Sequence, residues 1–212
     1  MHLNTLTWHM REAVRRLEEG GVIAYPTETV FGLGCDPFNP MAVLRLLDLK
    51  QRNIEQGLIL IASDFAQLEP LLMPLSATVR NRIMKTWPSP VTWTLPCLPK
   101  TPAWLRGSHR SLAIRITSHP LARSLCESWD GPLVSTSANR HGKPPATSAL
   151  GVRLAFDAEL DYILHGKATG TGKPSEIRDG ITGRVLRSST ANQPDSGRKN
   201  GGPPLLKPGA AV

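Results

Sequence analysis

The sequence predicts an α/β domain built around a twisted, largely mixed sheet. Three observations carry that expectation. Apolar runs of four or five residues recur along the chain, among them Val22 to Tyr25, Leu58 to Ala62 and Leu112 to Ile116. Runs this short, without polar alternation, suit strands buried on both faces. The segments between them place apolar residues at three- and four-residue steps, the period of an amphipathic helix. Strands that alternate with helices build layered α/β architectures.

In chain order, Leu6, Met10, Ala13, Val14 and Leu17 form one stripe and predict a first helix. Val22 to Tyr25 is the first strand, closed by a Pro26-Thr27-Glu28-Thr29 turn and a loop containing Gly32 and Gly34. Asn39-Pro40 starts the next helix, with Asn as cap and Pro at the first helical position, and Val43, Leu44, Leu46 and Leu47 face inward. Leu58 to Ala62 is a strand. Ser63 caps a helix through Leu72, and Ser76 another through Trp87. Val91 to Leu95 and Leu112 to Ile116 are strands, Ser118 to Trp129 a helix, and Leu133 to Thr136 a strand. A helix near Ala149 to Phe156 and short strands near Tyr162 and Arg184 complete the pattern. From Ser188 the chain is rich in Ser, Gly, Pro and Asn, with little to bury against the entropy of ordering. The expected organisation is one domain over residues 1–187 and a flexible tail over 188–212.

Composition narrows the function. With 40% apolar and 20% charged residues among 212, the chain reads as an ordinary globular protein. Its longest apolar runs fall far short of a membrane span, and no basic-then-apolar leader opens it. Cys35, Cys97 and Cys126 are odd in number and form no C-x-x-C, so reduced thiols in a cytoplasmic protein are expected. The histidines show no metal-ligand spacing, and no metal site is expected. The net charge is +8; Arg198, Lys199 and Lys207 against Asp195 leave +2 to the tail and +6 to the domain. A basic domain favours nucleotides, nucleic acid or other polyanions.

Lys50-Gln51-Arg52 lies where the second helix should end. Residues two apart share a face only in extended chain, so both cations point at one ligand if the helix stops by about Lys50. Ser137-Ala138-Asn139 follows a strand directly, the place where open α/β sheets bind ligands. Pro26-Thr27-Glu28-Thr29 also follows a strand, and Gly32 and Gly34 allow close backbone approach. Glu28 is a candidate carboxylate for which the sequence supplies no partner. The Gly166 to Pro174 stretch looks like a P-loop but fails on spacing and has Pro174 in place of the Mg-binding Ser/Thr.

Taken together, PTETVFGLGCD, LKQR followed by GLILIA, WPSPVTWTLP, SLAIRITSHP, PLVSTSAN and PSEIRD resemble, in order, the YrdC/TsaC family of threonylcarbamoyl-AMP synthases, from about Gly20 to Arg187. The chain looks like the short, single-domain form. The resemblance implies a YrdC-like open sheet flanked by helices, with a concave basic surface. It implies formation of L-threonylcarbamoyl-adenylate and pyrophosphate from L-threonine, bicarbonate or CO2, and ATP, with Mg2+ carried by the ATP. The product would serve the N6-threonylcarbamoyl modification of adenosine 37 in tRNA, through a partner complex; direct contact with tRNA or other RNA stays open.

Residue by residue, the resemblance assigns Lys50, Arg52, Ser137 and Asn139 to the catalytic site for ATP and the carboxy intermediate. Thr29, Arg115, Ser135 and Ser175 would contact threonine, and Arg52, Ser111, Ser137, Pro145 and Arg187 the nucleotide. The chemistry of the residues agrees: Arg115 is a cation on an otherwise apolar strand, costly without an anionic partner. Many relatives carry Pro after the Lys-x-Arg, where this chain has Asn53. Two other readings share the fold: a non-catalytic RNA-binding module, and a sibling enzyme handling another carbamoyl-adenylate.

Overall fold

A computed structural model describes residues 2–170 and 175–189, with side chains from residue 7 onward. In chain order the elements are α1 (His2–Glu18), β1 (Ile23–Pro26), β2 (Phe31–Gly34), α2 (Pro40–Lys50), β3 (Ile59–Ala62), α3 (Ala77–Met84), β4 (Val91–Pro96), α4 (Ala103–Arg106), β5 (Ser111–Ile116), α5 (Pro120–Trp129), β6 (Leu133–Ser137), α6 (Ala149–Phe156), β7 (Tyr162–Ile163), β8 (Glu176–Asp179) and β9 (Val185–Arg187). The strands form one mixed sheet in the order β7-β1-β2-β6-β3-β5-β4-β8-β9. β1–β7, β3–β5 and β4–β8 pair in parallel, and the remaining neighbours are antiparallel.

The central strands are apolar on both sides because both sides are covered. Ile23, Tyr25, Ile61 and Leu133 pack with Met10, Ala13 and Leu17 of α1 and with Ala122, Leu125 and Cys126 of α5. The alternate residues Ala24, Leu60 and Val134 belong to a larger cluster with Val43, Leu46 and Leu47 of α2 and Val152 and Phe156 of α6. Each fully buried Leu or Ile contributes about 1.5–3 kcal/mol of transfer free energy, so this two-sided core fixes the sheet register. Cys35, Cys97 and Cys126 are all free and buried in it. Burial pushes the Cys126 thiol up to about 12.

Several sequence expectations need correction. The glycine loop after the first turn is the strand β2, paired through Tyr25↔Gly32 and Ile23↔Gly34. A Cβ on Gly34 would collide with the Val134 carbonyl oxygen and lie 2.7 Å from Tyr25 Cε1, so these glycines serve close strand packing. The helix expected from Ser63 to Leu72 is two single 3₁₀ turns, Phe65–Gln67 and Glu69–Leu71, the first capped by Asp64. Pro70 has no N–H to continue a helix from the first turn into the second. Ser76 does cap α3, but the helix ends at Met84 rather than Trp87, since Pro88 disfavours helical backbone just before it. α5 begins at Pro120 with His119 as its cap, and Leu44 is 48% exposed rather than inward. α4 and β8 were not foreseen. Of the expected tail, residues 190–212 lie outside the described residues.

Candidate active site

The end of α2 brings the first cations into place. Asn39 Oδ1 accepts from the Met41 and Ala42 N–H groups, and Pro40 occupies the first turn, as its sequence requires. At the other end Gln51 takes a left-handed conformation, φ 50°. Its N–H donates to Asp48 O at 2.8 Å, and the Arg52 N–H to Leu47 O at 2.9 Å. This paired C-terminal cap stops the helix at Lys50.

Lys50 is buried, at 6% exposure. Its Nζ donates to Ser137 O (2.7 Å), Asn139 O (2.7 Å) and Asn139 Oδ1 (2.9 Å). All three ammonium donors are thus matched by uncharged acceptors. Burial, and secondarily the Arg52 charge, lower its pKa to about 8. Ser137 Oγ donates to Asn139 Oδ1 at 2.6 Å, and Asn139 Nδ2 donates to Arg140 O (3.1 Å) and Lys143 O (2.8 Å). Lys50 therefore knits the turn after β6 into a fixed shape.

A second set of polar groups lies on the sheet face that carries α1 and α5. Residues directly opposite in neighbouring strands share a face. Ser135 lies opposite Ile59, Ile59 opposite Ala113, Arg115 opposite Ile61, and Ser137 opposite Gly32. Ile59, Ser111, Ala113 and Ser137 are half-buried, whereas Ser135 and Arg115 are buried. Arg187 donates from Nε (3.3 Å) and Nη2 (3.0 Å) to Ser175 O, and Ser175 Oγ lies 3.4 Å from Thr92 Oγ1. Burial, then the charges of Arg52 and Arg115, push Arg187 below its ordinary pKa. Lys50, Arg52, Arg115 and Arg187 thus raise one another's electrostatic cost within a single region. Among the described residues the one buried carboxylate is Glu28, whose Oε2 is 3.8 Å from Arg115 Nη2. Lys50 and Arg115 are buried, Arg52 is half-buried and Arg187 exposed, and cations gathered in this excess ask for an anionic ligand. A cavity of about 400 Å³ between Trp8, His9, Tyr162 and His165 lies elsewhere, at the β7 edge, and holds none of these cations.

A family model described as "Telomere recombination", covering Sua5, YciO and YrdC proteins, matches residues 15–189. The chain belongs to the Sua5/YciO/YrdC family. It is 56% identical over 180 residues to a threonylcarbamoyl-AMP synthase of Nitrosococcus oceani, covering 85% of this chain and 97% of that one. A Coxiella burnetii protein of the same name is 49% identical over 185 residues, covering 87% and 100%. Among solved structures, Pyrococcus abyssi Sua5 complexed with L-threonine superposes with a TM-score of 0.76 at 34% identity, covering 81% of this chain and 51% of that one. The chain therefore spans about half of the P. abyssi protein. E. coli YciO superposes with a TM-score of 0.76 at 25% identity, covering 84% and 87%.

Within this family fold the expected site residues fall into three groups. Lys50, Ser137 and Asn139 are directly bonded, and Arg52 joins them electrostatically. Arg115, Ser135, Ser175 and Arg187 lie along the adjoining strands or at their ends. The others enter through the backbone. Ser111 opens β5 opposite Pro96. Pro145 precedes Ala146, which bonds both Ala138 and Phe31. Thr29 lies in the β1–β2 turn, with its N–H on Thr27 Oγ1 at 3.3 Å. Asn53, which follows the Lys-x-Arg, has φ −66°, a proline value, and its side chain caps the next turn by accepting from the Glu55 N–H. Sequence reasoning missed the partners of Glu28, which are Thr117, Ser118 and His119 as well as Arg115. They lie some 90 residues away, and only the hydroxyl pair Thr117-Ser118 before a helix start hinted at them.

Proposed function

We propose that this chain is a threonylcarbamoyl-AMP synthase, and the observation that carries the reading is the convergence of Lys50, Arg52, Arg115 and Arg187 in one region with, among the described residues, a single buried carboxylate. Names of relatives covered almost end to end support it, as does the threonine complex of the P. abyssi protein. In the reaction the threonine amine, having lost its ammonium proton, attacks CO2 to give a carbamate with release of a further proton, or attacks bicarbonate to give the same carbamate with loss of water. A carbamate oxygen then attacks the α-phosphorus of ATP, the bond to the β-phosphate oxygen breaks, and pyrophosphate leaves. Negative charge grows on the phosphoryl oxygens, so fixed donors and cations supply most of the acceleration.

In this reading Arg52 and Arg187 face the phosphates, and Ser137 and Asn139 hold the reacting groups in a turn made rigid by Lys50. Lys50 acts chiefly by positioning, because its three donors are already engaged by that turn. The half-buried Ser111, Ala113 and Ile59 form a floor for the nucleoside, with Pro145 at its rim. Arg115 takes the threonine carboxylate as a two-pronged donor. Thr29, Ser135 and Ser175 surround its amine and hydroxyl. Mg2+ enters with the ATP. The adenylate passes to a partner complex that modifies tRNA in the cytoplasm, and residues 1–187 suffice for its synthesis.

The test is pyrophosphate release from ATP with bicarbonate and L-threonine, serine, valine or no amino acid. Threonine should be the best substrate. Serine, lacking a methyl worth roughly 1–3 kcal/mol, should turn over poorly, and valine, which leaves the hydroxyl partners unpaired, more poorly still. Release independent of any amino acid, or valine equal to threonine, would refute the assignment.

A further inference from the structure

We propose that Glu28 is a specificity-determining residue of the amino-acid pocket: a pinned, buried carboxylate behind Arg115 that makes the pocket accept a zwitterion and refuse a bare carboxylate. The proposal rests on the reading of Arg115 given above. Glu28 and Arg115 have side chains only 7% and 6% exposed, and their closest approach, Oε2 to Nη2, is 3.8 Å. A buried carboxylate and guanidinium free to move close to about 2.7–2.9 Å in a two-pronged pair. Here Glu28 Oε2 and Arg115 Nε are both buried with no hydrogen-bond partner.

The reason is the other oxygen. Glu28 Oε1 accepts from Thr117 Oγ1 (2.8 Å), the Ser118 N–H (2.6 Å), Ser118 Oγ (3.3 Å) and the His119 N–H (3.3 Å). These groups lead into α5, whose N-terminal dipole also favours a negative charge. The Glu28 backbone is covered as well. The Thr169 N–H donates to Thr27 O at 3.3 Å, and a Cβ on Gly170 would collide with Glu28 O and lie 2.8 Å from Thr29 Cα. His119 Nε2 lies 2.9 Å from Lys167 O on the same strap. Glu28 therefore cannot advance onto Arg115, nor swing out to neutralise the other cations. Burial works to raise its pKa, but the Arg115 charge and the bonds from Thr117 and Ser118 outweigh burial and hold it below the ordinary value. It suits a permanent negative charge better than a proton acceptor.

A ligand carboxylate that docks on Arg115 consequently meets a second, immovable carboxylate through low-dielectric protein, where repulsion is weakly screened. A ligand that carries an ammonium one carbon from its carboxylate offsets that repulsion; a hydroxy acid of the same shape does not. The discrimination is electrostatic and adds to the hydrogen bonding of amine and hydroxyl assigned to Thr29, Ser135 and Ser175; the change in ratio on removing the Glu28 charge isolates it.

Calorimetric titration of the full chain with L-threonine and with (R)-3-hydroxybutyrate, its desamino analogue, tests this. The wild type should prefer threonine by about 100-fold or more, the range expected for an uncompensated buried charge. Glu28→Gln keeps the shape and removes the charge, and should shrink the ratio by about tenfold or more, with the analogue binding unchanged or tighter and the ATP KM within about twofold. Thr117→Val, which loosens Oε1, should fall between. An unchanged ratio in folded Glu28→Gln, or equal loss of both ligands, overturns the proposal. If Glu28→Gln does not fold, an unchanged ratio in Thr117→Val overturns it. A wild type that binds no threonine at all fails the functional reading and this proposal with it. Threonine-dependent pyrophosphate release with an unaltered ratio fails the proposal alone.

Discussion

On the sheet face that carries α1 and α5, Ile23, Ile61 and Leu133 lie under the helices with no exposure. On the same face stand Ser135, two residues beyond Leu133 on β6, and Arg115, opposite Ile61 on the neighbouring β5. The apolar half stabilises the fold by area removed from water, and its register could hold with any well-packed aliphatic set. The polar half is stabilising only through satisfied bonds: Lys50 on three main-chain and amide oxygens, Arg187 on Ser175, Glu28 on the start of α5. The contrast teaches that the sheet supplies rigidity on one side so that costly charges can be held unneutralised on the other, ready for an anion.

The comparison breaks most visibly at Arg115. Arg115→Ala leaves Glu28 buried and uncompensated, so stability should fall by about 3–5 kcal/mol, and in whatever fraction folds the threonine KM should rise far more than the ATP KM. Equal rises in both would move the amino-acid pocket elsewhere. Next in size is Lys50→Ala, which removes three donors from the 137–139 turn and leaves Ser137 O with the Asn139 N–H and Asn139 Oδ1 with the Ser137 hydroxyl. Turnover should drop about 100- to 1000-fold, the scale of a lost preorganised donor. The melting temperature should fall by about 4–8 °C, at roughly 2–4 °C per kcal/mol for a chain of this size. Turnover within a factor of about three of wild type would show that the turn stands without its lysine.

The pH dependence of Lys50 sharpens the same point. Burial lowers its native pKa to about 8 from the ordinary lysine value of 10.5. Between those values the unfolded chain holds a proton that the native state has released, so this residue makes stability rise with pH across that window. Turnover should instead decline above about pH 8, as the third ammonium donor is lost. Paired pH–rate profiles and urea midpoints check the opposed trends, and their disappearance in Lys50→Arg would tie them to this side chain. In the apolar half, Gly34→Ala should cost about 1–3 kcal/mol by overpacking against Val134 and Tyr25 while the threonine-to-ATP KM ratio stays constant. A shifted ratio would mean that the two halves are coupled. Asn53→Pro should be smallest. The φ is already suitable, so the gain of about 0.4–1 kcal/mol from a stiffer unfolded chain nearly offsets a lost cap worth about 0.5–2 kcal/mol. Denaturant midpoints would read it.

The legible parts of the molecule were those whose signal is local. β1 and β3 announce themselves by unbroken apolar runs, β5 by a run broken at Arg115, β6 by Leu133-Val134 ahead of Thr136, and α2 by its Asn39-Pro40 start. Lys50, Arg52, Ser137 and Asn139 stood out through the family resemblance, since a Lys-x-Arg at a helix end and a Ser-x-Asn after a strand are weak signals alone. β2 hid because Phe31-Gly32-Leu33-Gly34 carries the glycines of a loop, for a packing reason that only Tyr25 and Val134 explain. β8, Glu176–Asp179, hid because it is half-buried and polar, near the sheet margin. The grip of Lys50 on the 137–139 turn, and of Thr117 to His119 on Glu28, could not be read, since no local pattern encodes a contact between distant segments.

The Lys50 ammonium also has a kinetic meaning. Its acceptors lie 87 and 89 residues away in sequence, with β3, β4, β5 and the helices between them. Contacts of such long range cannot stabilise the chain until the entropy of closing the intervening loop has been overcome. The Lys50-held turn therefore forms late in folding, after α2 and β6 have docked, and no fragment ending before β6 contains it. A bound nucleotide acts on a structure already complete: it can slow unfolding by mass action, but it has nothing to grip while the chain is still finding its fold.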